Sequence, residues 1–105
     1  MLTDRFLLLL GMSVKAGKLK RGFDAVVGSI KDGHARAVFI AADISENTAE
    51  NVVFQAERKN IDVRRITYTI EEISRAIGKN AGIVSICDIN LGSKAIILSG
   101  QREEN

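Results

Sequence analysis

One short apolar segment, residues 37–41, lies between polar residues and shows no alternation of polar and apolar positions. A continuous run of this length predicts a strand that is buried on both faces, which requires helices on both sides of the sheet. Two helix caps are possible after it. Asn47 and Glu50 have the spacing of a capping box, and Ser45 is the other candidate cap. The segment predicts a strand, a polar turn and a third helix over about residues 48–59.

Helical and strand patterns alternate along the rest of the chain. The spacing of apolar residues predicts further helices that begin after Thr3 or Asp4, at Phe23, after Thr69 and after Asp88 or Asn90. They end near residues 16, 32, 77 and 98, and Gly17, Gly33 and Gly78 follow three of them as left-handed stops. Shorter runs at residues 18–21, 62–66 and 83–87 read as strands. This order predicts an α/β protein, a three-layer α/β/α sandwich with about four strands.

The composition is consistent with one globular domain over residues 1–105, with a polar tail at about 100–105 that we expect to fray. Hydrophobic residues make up 46% and charged residues 27%. The single cysteine, Cys87, excludes an internal disulfide. The apolar block at residues 6–10 is too short to cross a bilayer and lacks a cleavage site, so the expected location is the cytoplasm, without a membrane partner.

Charge is distributed unevenly along the chain. Residues 1–40 hold seven Lys and Arg against three Asp and Glu, a net charge of +4. Residues 41–105 hold eight against ten, a net charge of −2. This asymmetry favours a polyanion-binding surface in the first part of the chain.

Motifs of the common enzyme classes are missing: the sequence has no Walker loop, GxGxxG, HExxH or CxxC. No cofactor or metal is therefore expected. Cys87 lies in an apolar strand pattern, which is typical of a small buried residue rather than a reactive thiolate. His34 follows a glycine that ends a helix, which is typical of a surface turn.

The segment from Gly17 to Gly28 carries the clearest chemistry. Three cations, Lys18, Lys20 and Arg21, precede Gly22, which opens a helix. They and the backbone N–H groups of that helix could face one phosphate chain. An equally good interpretation is a solvated basic edge that prevents sheet-to-sheet pairing.

Two further places are candidates for a site. The loop at residues 78–82 has two glycines, a cation and an amide, and could approach a nucleic-acid backbone, although it also suits an ordinary helix–strand connection. Asp43 follows the buried strand, where ligands of α/β proteins often bind, although support of the turn before the third helix is the simpler role. A small-molecule or enzymatic site around Asp43 and Arg65 is thus an alternative function, and a protein-interaction adaptor is another.

Three segments together resemble a known family. KAGKL followed by Gly22, then IAADISENT, then IGK before the last strand are similar, in this order and spacing, to the kink-turn RNA-binding ribosomal proteins of the large subunit. The small bacterial YlxQ-like members are the most similar type, and the resemblance extends from about Leu7 to Leu98. It implies an α/β/α sandwich whose four-stranded sheet is mixed.

The resemblance also implies how RNA would be bound. The helix opened by Gly22 would enter RNA beside tandem sheared G·A pairs, and the IGK loop would hold a flipped-out nucleotide. Strong kink-turn binders carry Gly-x-Asn-Glu-x-x-Lys here, where this chain has Gly22, Asp24, Ala25 and Gly28. Because an amide, a carboxylate and a cation are missing, we expect a standard kink-turn to be bound poorly.

The expected function is RNA binding without catalysis, through backbone and shape contacts. The partner would be structured RNA, with ribosomal RNA among the candidates, and not DNA. The basic segment would contact phosphates, and the loop would form the other wall. The expected binding residues are Lys18, Lys20, Arg21, Gly22, Phe23, Asp24, Gly28, Lys79, Asn80, Ala81, Gly82 and Ile83.

Overall fold

The structure is a computed structural model that describes residues 4–102. Helices and strands alternate along this part of the chain, as the apolar pattern predicts. Their bounds are α1 Arg5–Lys15, β1 Leu19–Arg21, α2 Phe23–Lys31, β2 Ala37–Ile40, α3 Glu46–Arg58, β3 Asp62–Arg65, α4 Ile70–Ile77, β4 Ile83–Ile86 and α5 Ile89–Ser99. No helix among these residues is long and apolar enough to cross a membrane.

The four strands form one mixed sheet in the order β1-β4-β2-β3. Strand β4 runs antiparallel to both of its neighbours, while β2 and β3 are parallel. In the register, Val84 lies opposite both Arg21 and Phe39. The mixed four-stranded sheet that the resemblance implies is confirmed.

Both faces of β2 are covered, as its continuous apolar run predicts. Successive strand residues point to opposite faces. Ala37 and Phe39 pack in a cluster with α1, α4 and α5, and Val38 and Ile40 pack in a second cluster with α2 and α3. All four residues of β2 are at most 1% exposed. The chain is therefore an α/β/α sandwich.

The N-terminal caps of α1, α4 and α5 are formed by residues at which the sequence pattern places the start of each helix. The Asp4 carboxylate accepts a hydrogen bond from the Leu7 amide at 3.1 Å, and Asp88 caps α5 in the same way. Thr69 and Glu72 form the full capping box of α4. Thr3, the other candidate cap of α1, lies outside the described residues.

The start of α3 differs from the prediction. The helix begins at Glu46 with Ser45 at the N-cap, so the capping box of Asn47 and Glu50 is wrong. Ile44 packs against both core clusters, which fixes the turn and brings the chain into the helix earlier. The Ser45 hydroxyl bonds to the Thr48 hydroxyl at 3.0 Å rather than to a backbone amide.

Arg102, in the tail that is expected to fray, contacts the folded part of the chain. The Arg102 guanidinium lies 4.3 Å from the ring centroid of Tyr68, donates to the Thr67 carbonyl at 2.9 Å and pairs with Glu72. Cation–π and charge contacts of this kind stabilise a segment that composition alone would leave frayed. Tyr68 is fully buried, and its hydroxyl donates to Asp4 at 2.7 Å; burial and this bond raise the pKa of Tyr68. Residues 103–105 lie outside the described part.

Candidate nucleic-acid interface

The two segments that the sequence singles out lie side by side at one end of the sheet. Because β1 and β4 are antiparallel, the end of β1 meets the beginning of β4. The Gly22 amide donates to the Ile83 carbonyl at 2.9 Å, and the Arg21 guanidinium donates to the Asn80 carbonyl at 3.4 Å. The start of α2 and the loop at residues 78–82 therefore form one continuous edge.

The loop at residues 78–82 is pressed against the fold at its second glycine. A Cβ atom on Gly82 would lie 2.7 Å from side-chain atoms of both Ile44 and Ile70. The Gly82 carbonyl accepts from the Ala41 amide at 2.8 Å. Ala81 and Ile83 are buried, whereas Lys79 and Asn80 are exposed. Of the five residues 79–83 that are expected to bind RNA, only Lys79 and Asn80 are therefore exposed.

Ser74, on α4, fixes the path of this loop and is not among the residues that the sequence analysis predicts for the site. Its hydroxyl accepts from the Ala81 amide at 2.9 Å and lies 3.1 Å from the Ala81 carbonyl. The bond joins two elements across a glycine turn. No local pattern in the sequence marks it, because the partner depends on the course of the loop.

The N-terminus of α2 is open to a ligand. Gly22 occupies the N-cap with φ 88° and ψ 159°, and it has no side chain to accept from the first turn. The amides of Phe23, Asp24 and Ala25 are the first-turn donors that a helix cannot satisfy internally. Asp24 and Ala25 are exposed, and Phe23 is half-buried against the second core cluster.

The three cations of the basic segment do not share one face, in contrast to the expectation. Lys20 lies opposite Ser85, which bonds to Ser29 of α2, so Lys20 lies on the α2 side. Arg21 lies opposite Val84, which packs in the cluster under α1 and α4. Side chains alternate along a strand, so Lys20 and Arg21 point to opposite faces, and Lys18 lies just before β1.

Arg21 instead lies near Lys79, the cation of the loop at residues 78–82. Arg21 and Lys79 line one shallow depression of about 230 Å³, whose remaining wall is Val14, Leu19 and Ile77. Within residues 4–102, neither side chain forms an ion pair with a carboxylate, and the same holds for Lys18 and Lys20. These exposed cations are free to contact an anionic partner.

Comparison with known proteins decides the family. The model of the ribosomal protein L7Ae/L30e/S12e/Gadd45 family matches residues 4–98. The chain belongs to this family. The resemblance drawn from the KAGKL, IAADISENT and IGK segments is thereby confirmed.

Two relatives of the family carry an RNA-binding name. The RNA-binding protein YlxQ of Enterococcus faecium is 30% identical over 86 residues, which cover 82% of each chain. The RNA-binding protein YlxQ of Bacillus subtilis (strain 168) is 30% identical over 91 residues, 86% of this chain and 90% of the relative.

Solved structures show the same fold at lower identity. A protein of unknown function from Bacillus halodurans superposes with a TM-score of 0.88 at 23% identity, covering 93% of this chain and 99% of the other. The Giardia lamblia 15.5kD RNA binding protein superposes with a TM-score of 0.73 at 20% identity, covering 96% and 90%.

The three positions at which the sequence analysis expects a departure from the kink-turn pattern lie on one part of α2. Asp24, Ala25 and Gly28 follow one another at helical spacing, so they share one side of its first two turns. A Cβ atom on Gly28 would meet no other atom within 4 Å. Longer side chains would fit here without rearranging the family fold.

A second depression, of about 620 Å³, lies beside the loop on the outer side of α4. Asp43 and Arg75 contribute to it, and Arg75 pairs with Glu71 at 2.8 Å. Asp43 does not support the turn before α3 as expected: its carboxylate accepts from the Ile70 amide at 2.9 Å and so supports the start of α4.

The alternative site around Asp43 and Arg65 does not form. Arg65 donates to both carboxylate oxygens of Glu46, at 2.9 and 3.0 Å, and does not line the depression beside Asp43. The hydrogen bond from Arg65, and then its charge, hold the pKa of Glu46 below its usual value. Each residue thus has a structural partner of its own.

The remaining candidates have ordinary surroundings. Cys87 follows β4 and is half-buried, so the expectation of a fully buried residue is only partly met. His34 is exposed, as expected for a turn. Within residues 4–102, no group of three His, Cys, Asp or Glu side chains could hold a metal.

Proposed function

We propose that this protein binds structured RNA through the edge formed by the start of α2 and the loop at residues 78–82. The observation that carries the proposal is the hydrogen bond between Gly22 and Ile83, because it joins the two segments into one surface. Membership of a family whose relatives are named as RNA-binding proteins supports it. We infer a binding role without catalysis, in the cytoplasm.

The chemistry of this edge suits an irregular RNA backbone. Arg21 and Lys79 are exposed and unpaired within the described residues, and each can pair with a phosphate. The open first turn of α2 offers backbone N–H groups to a further phosphate or base edge. Lys18 and Lys20 would contact flanking phosphates from the α2 side. Proteins read RNA mainly at irregular, unstacked regions, because the deep A-form major groove excludes side chains.

Salt dependence tests the location of this interface. Replacing Arg21 and Lys79 by Gln should lower the log–log slope of affinity against salt by about 1.5 units, since each lost phosphate contact removes about 0.7–0.9. A matched control replaces the exposed Lys59 and Lys94 by Gln. Gel shifts with a kink-turn RNA and with a plain duplex provide the measurement. An unchanged slope in the Arg21/Lys79 variant would place the binding face elsewhere.

We further propose that kink-turn recognition is weak in this protein, because three motif positions lack the required groups. The variant Asp24→Asn, Ala25→Glu, Gly28→Lys restores an amide, a carboxylate and a cation. Good base-edge contacts contribute about 1–3 kcal/mol each, so affinity for a kink-turn should rise about 100-fold or more.

The control for this variant separates base recognition from charge. A kink-turn whose G·A pairs are replaced by Watson–Crick pairs, and a plain duplex, gain only from the net charge change of +1, because the carboxylate added at position 25 offsets the one removed at position 24. Equal gains on all three RNAs would mean that α2 is not docked as proposed. Tight and selective binding by the unmodified protein would contradict the proposed weakness.

A further inference from the structure

A pair of buried hydroxyl groups joins α2 to the sheet. Ser29 is 5% exposed and Ser85 is fully buried. The Ser29 hydroxyl donates to the Val26 carbonyl at 2.7 Å, and its oxygen lies 2.9 Å from the Ser85 hydroxyl oxygen. Since the single Ser29 proton is used by Val26, Ser85 is the donor in the second bond.

Strand β4 thus holds α2 at two points. The Ile83 carbonyl accepts from Gly22 at the start of the helix, and Ser85 bonds to Ser29 in its second half. Ile83 and Ser85 are two residues apart, so they lie on the same face of β4. The same strand begins directly after the loop that forms the other wall of the proposed interface.

The other contacts of α2 do not fix its rotation in the same way. Val26 and Ile30 pack against Val38, Ile40 and Val52, which are aliphatic. Apolar burial is non-directional, whereas a hydrogen bond between two short side chains fixes both distance and angle. A small rotation of α2 about its axis would move positions 24, 25 and 28, which lie on its outer side.

We propose that the bond between Ser29 and Ser85 is a positioning contact, which sets the rotation of α2 on β4 and thereby aims the first turns of the helix at RNA. This inference rests on the proposed function. Two hydroxyls are a poor choice for stability alone, because replacing both partners of a buried bond by apolar groups of similar shape is often nearly neutral. Their value lies in the orientation that they impose.

The free protein provides the first test. Backbone residual dipolar couplings of α2 relative to the sheet should change in Ser29→Ala/Ser85→Ala. Ser13→Ala is the matched control: Ser13 is also fully buried and bonds to the Leu9 carbonyl of its own helix at 2.8 Å, on the opposite face of the sheet. Its removal should leave the α2 couplings unchanged. Unchanged couplings in the double variant would overturn the inference.

RNA binding provides the second test. In the background of Asp24→Asn, Ala25→Glu, Gly28→Lys, removal of both hydroxyls should weaken kink-turn binding about tenfold at an unchanged salt slope, and Ser13→Ala should not. Ser85→Ala alone also breaks the bond between the two serines but keeps the bond from Ser29 to Val26, so it disturbs the fold less and should weaken binding by a similar factor if the double variant folds poorly.

The two tests separate this inference from the proposed function. If no variant binds RNA, the proposed function fails, and the dipolar couplings still decide the role of the hydroxyl pair. If RNA is bound and the affinity of the double variant equals that of the Ser13→Ala control, the pair does not position α2 for RNA.

Discussion

Gly22 shows at the scale of one residue how the interface depends on backbone conformation. Its φ of 88° and ψ of 159° fall in a region that residues with a Cβ atom avoid. This conformation lets the chain turn from β1 directly into α2 while the Gly22 amide bonds to Ile83. Gly28, six residues later, has ordinary helical geometry and open space around it.

The two glycines should therefore respond oppositely to the same substitution. Gly22→Ala should lower the free energy of unfolding by about 1–3 kcal/mol, because the strained conformation would be kept or the bond to Ile83 lost. Gly28→Ala should raise it by about 0.5–1 kcal/mol, since alanine favours the helix interior. Urea titration measures both. A neutral Gly22→Ala variant would show that the turn relaxes without cost.

The helix ends show at the scale of the element which contacts a sequence can predict. Thr69 and Glu72 are three residues apart and form the capping box of α4, the helix predicted to begin after Thr69. Asp43 and Ile70 are 27 residues apart, so the role of Asp43 at the start of α4 could not be inferred from its neighbours. The capping box on Asn47 is absent because α3 begins at Glu46, soon after Ile44, whose partly buried side chain packs against both core clusters.

The faces of the sheet to which the β1 side chains point could not be predicted from the sequence either. The sequence identifies Lys18, Lys20 and Arg21 as a basic cluster, and all three are exposed. Their division between two faces follows from the pairing of β1 with β4, which only the fold reveals. The pairing of β1 with β4 also places the start of α2 beside the loop at residues 78–82. The family resemblance had implied both segments as RNA contacts.

The Glu72 carboxylate in the capping box of α4 makes the free energy of unfolding depend on pH. The hydrogen bond from the Thr69 amide, followed by the contact with Arg102, holds the pKa of Glu72 below its ordinary value of 4.5. A carboxyl group whose pKa is lower in the folded state stabilises above the unfolded pKa and loses this contribution as pH falls through the folded value. Stability should therefore fall as the pH drops below about 4.5, and Glu72→Gln should flatten this part of the curve.

Thermal unfolding between pH 2 and pH 7 measures this effect. Arg102→Met is the informative comparison, because it removes the ion pair and keeps the larger contribution of the Thr69 amide. Most of the acid sensitivity should remain in that variant. If Glu72→Gln and the unmodified protein lose stability in parallel, the capping carboxylate does not contribute to acid unfolding.

At the scale of the whole molecule, Phe39 is central to stability. It lies in an inner strand of the sheet, β2, and packs beneath the helical layer of α1, α4 and α5. It is fully buried, and its ring meets Phe6 of α1 edge-to-face at 5.2 Å between centroids. Phe39→Ala should cost about 3–5 kcal/mol, a large part of the roughly 5–15 kcal/mol that stabilises a typical domain.

The matched control is another phenylalanine on the opposite helical layer. Phe54 on α3 is 57% exposed and contacts Arg58 through a cation–π interaction at 5.5 Å. Its replacement by Ala should cost less than about 1 kcal/mol. Denaturant titration compares the two. A loss below about 1 kcal/mol for Phe39→Ala would mean that β2 is not the centre of the core.

The insertion of β4 between β1 and β2 determines when during synthesis the molecule can assemble. Strands β1 and β2 are not neighbours in the sheet and are joined there through β4, which follows both in the chain, with Arg21 opposite Val84. Contacts so distant in sequence slow folding. A nascent chain that stops before Ile83 lacks the carbonyl that holds Gly22, so the proposed interface cannot yet exist. Competence to bind RNA should therefore arise in a single late step of translation.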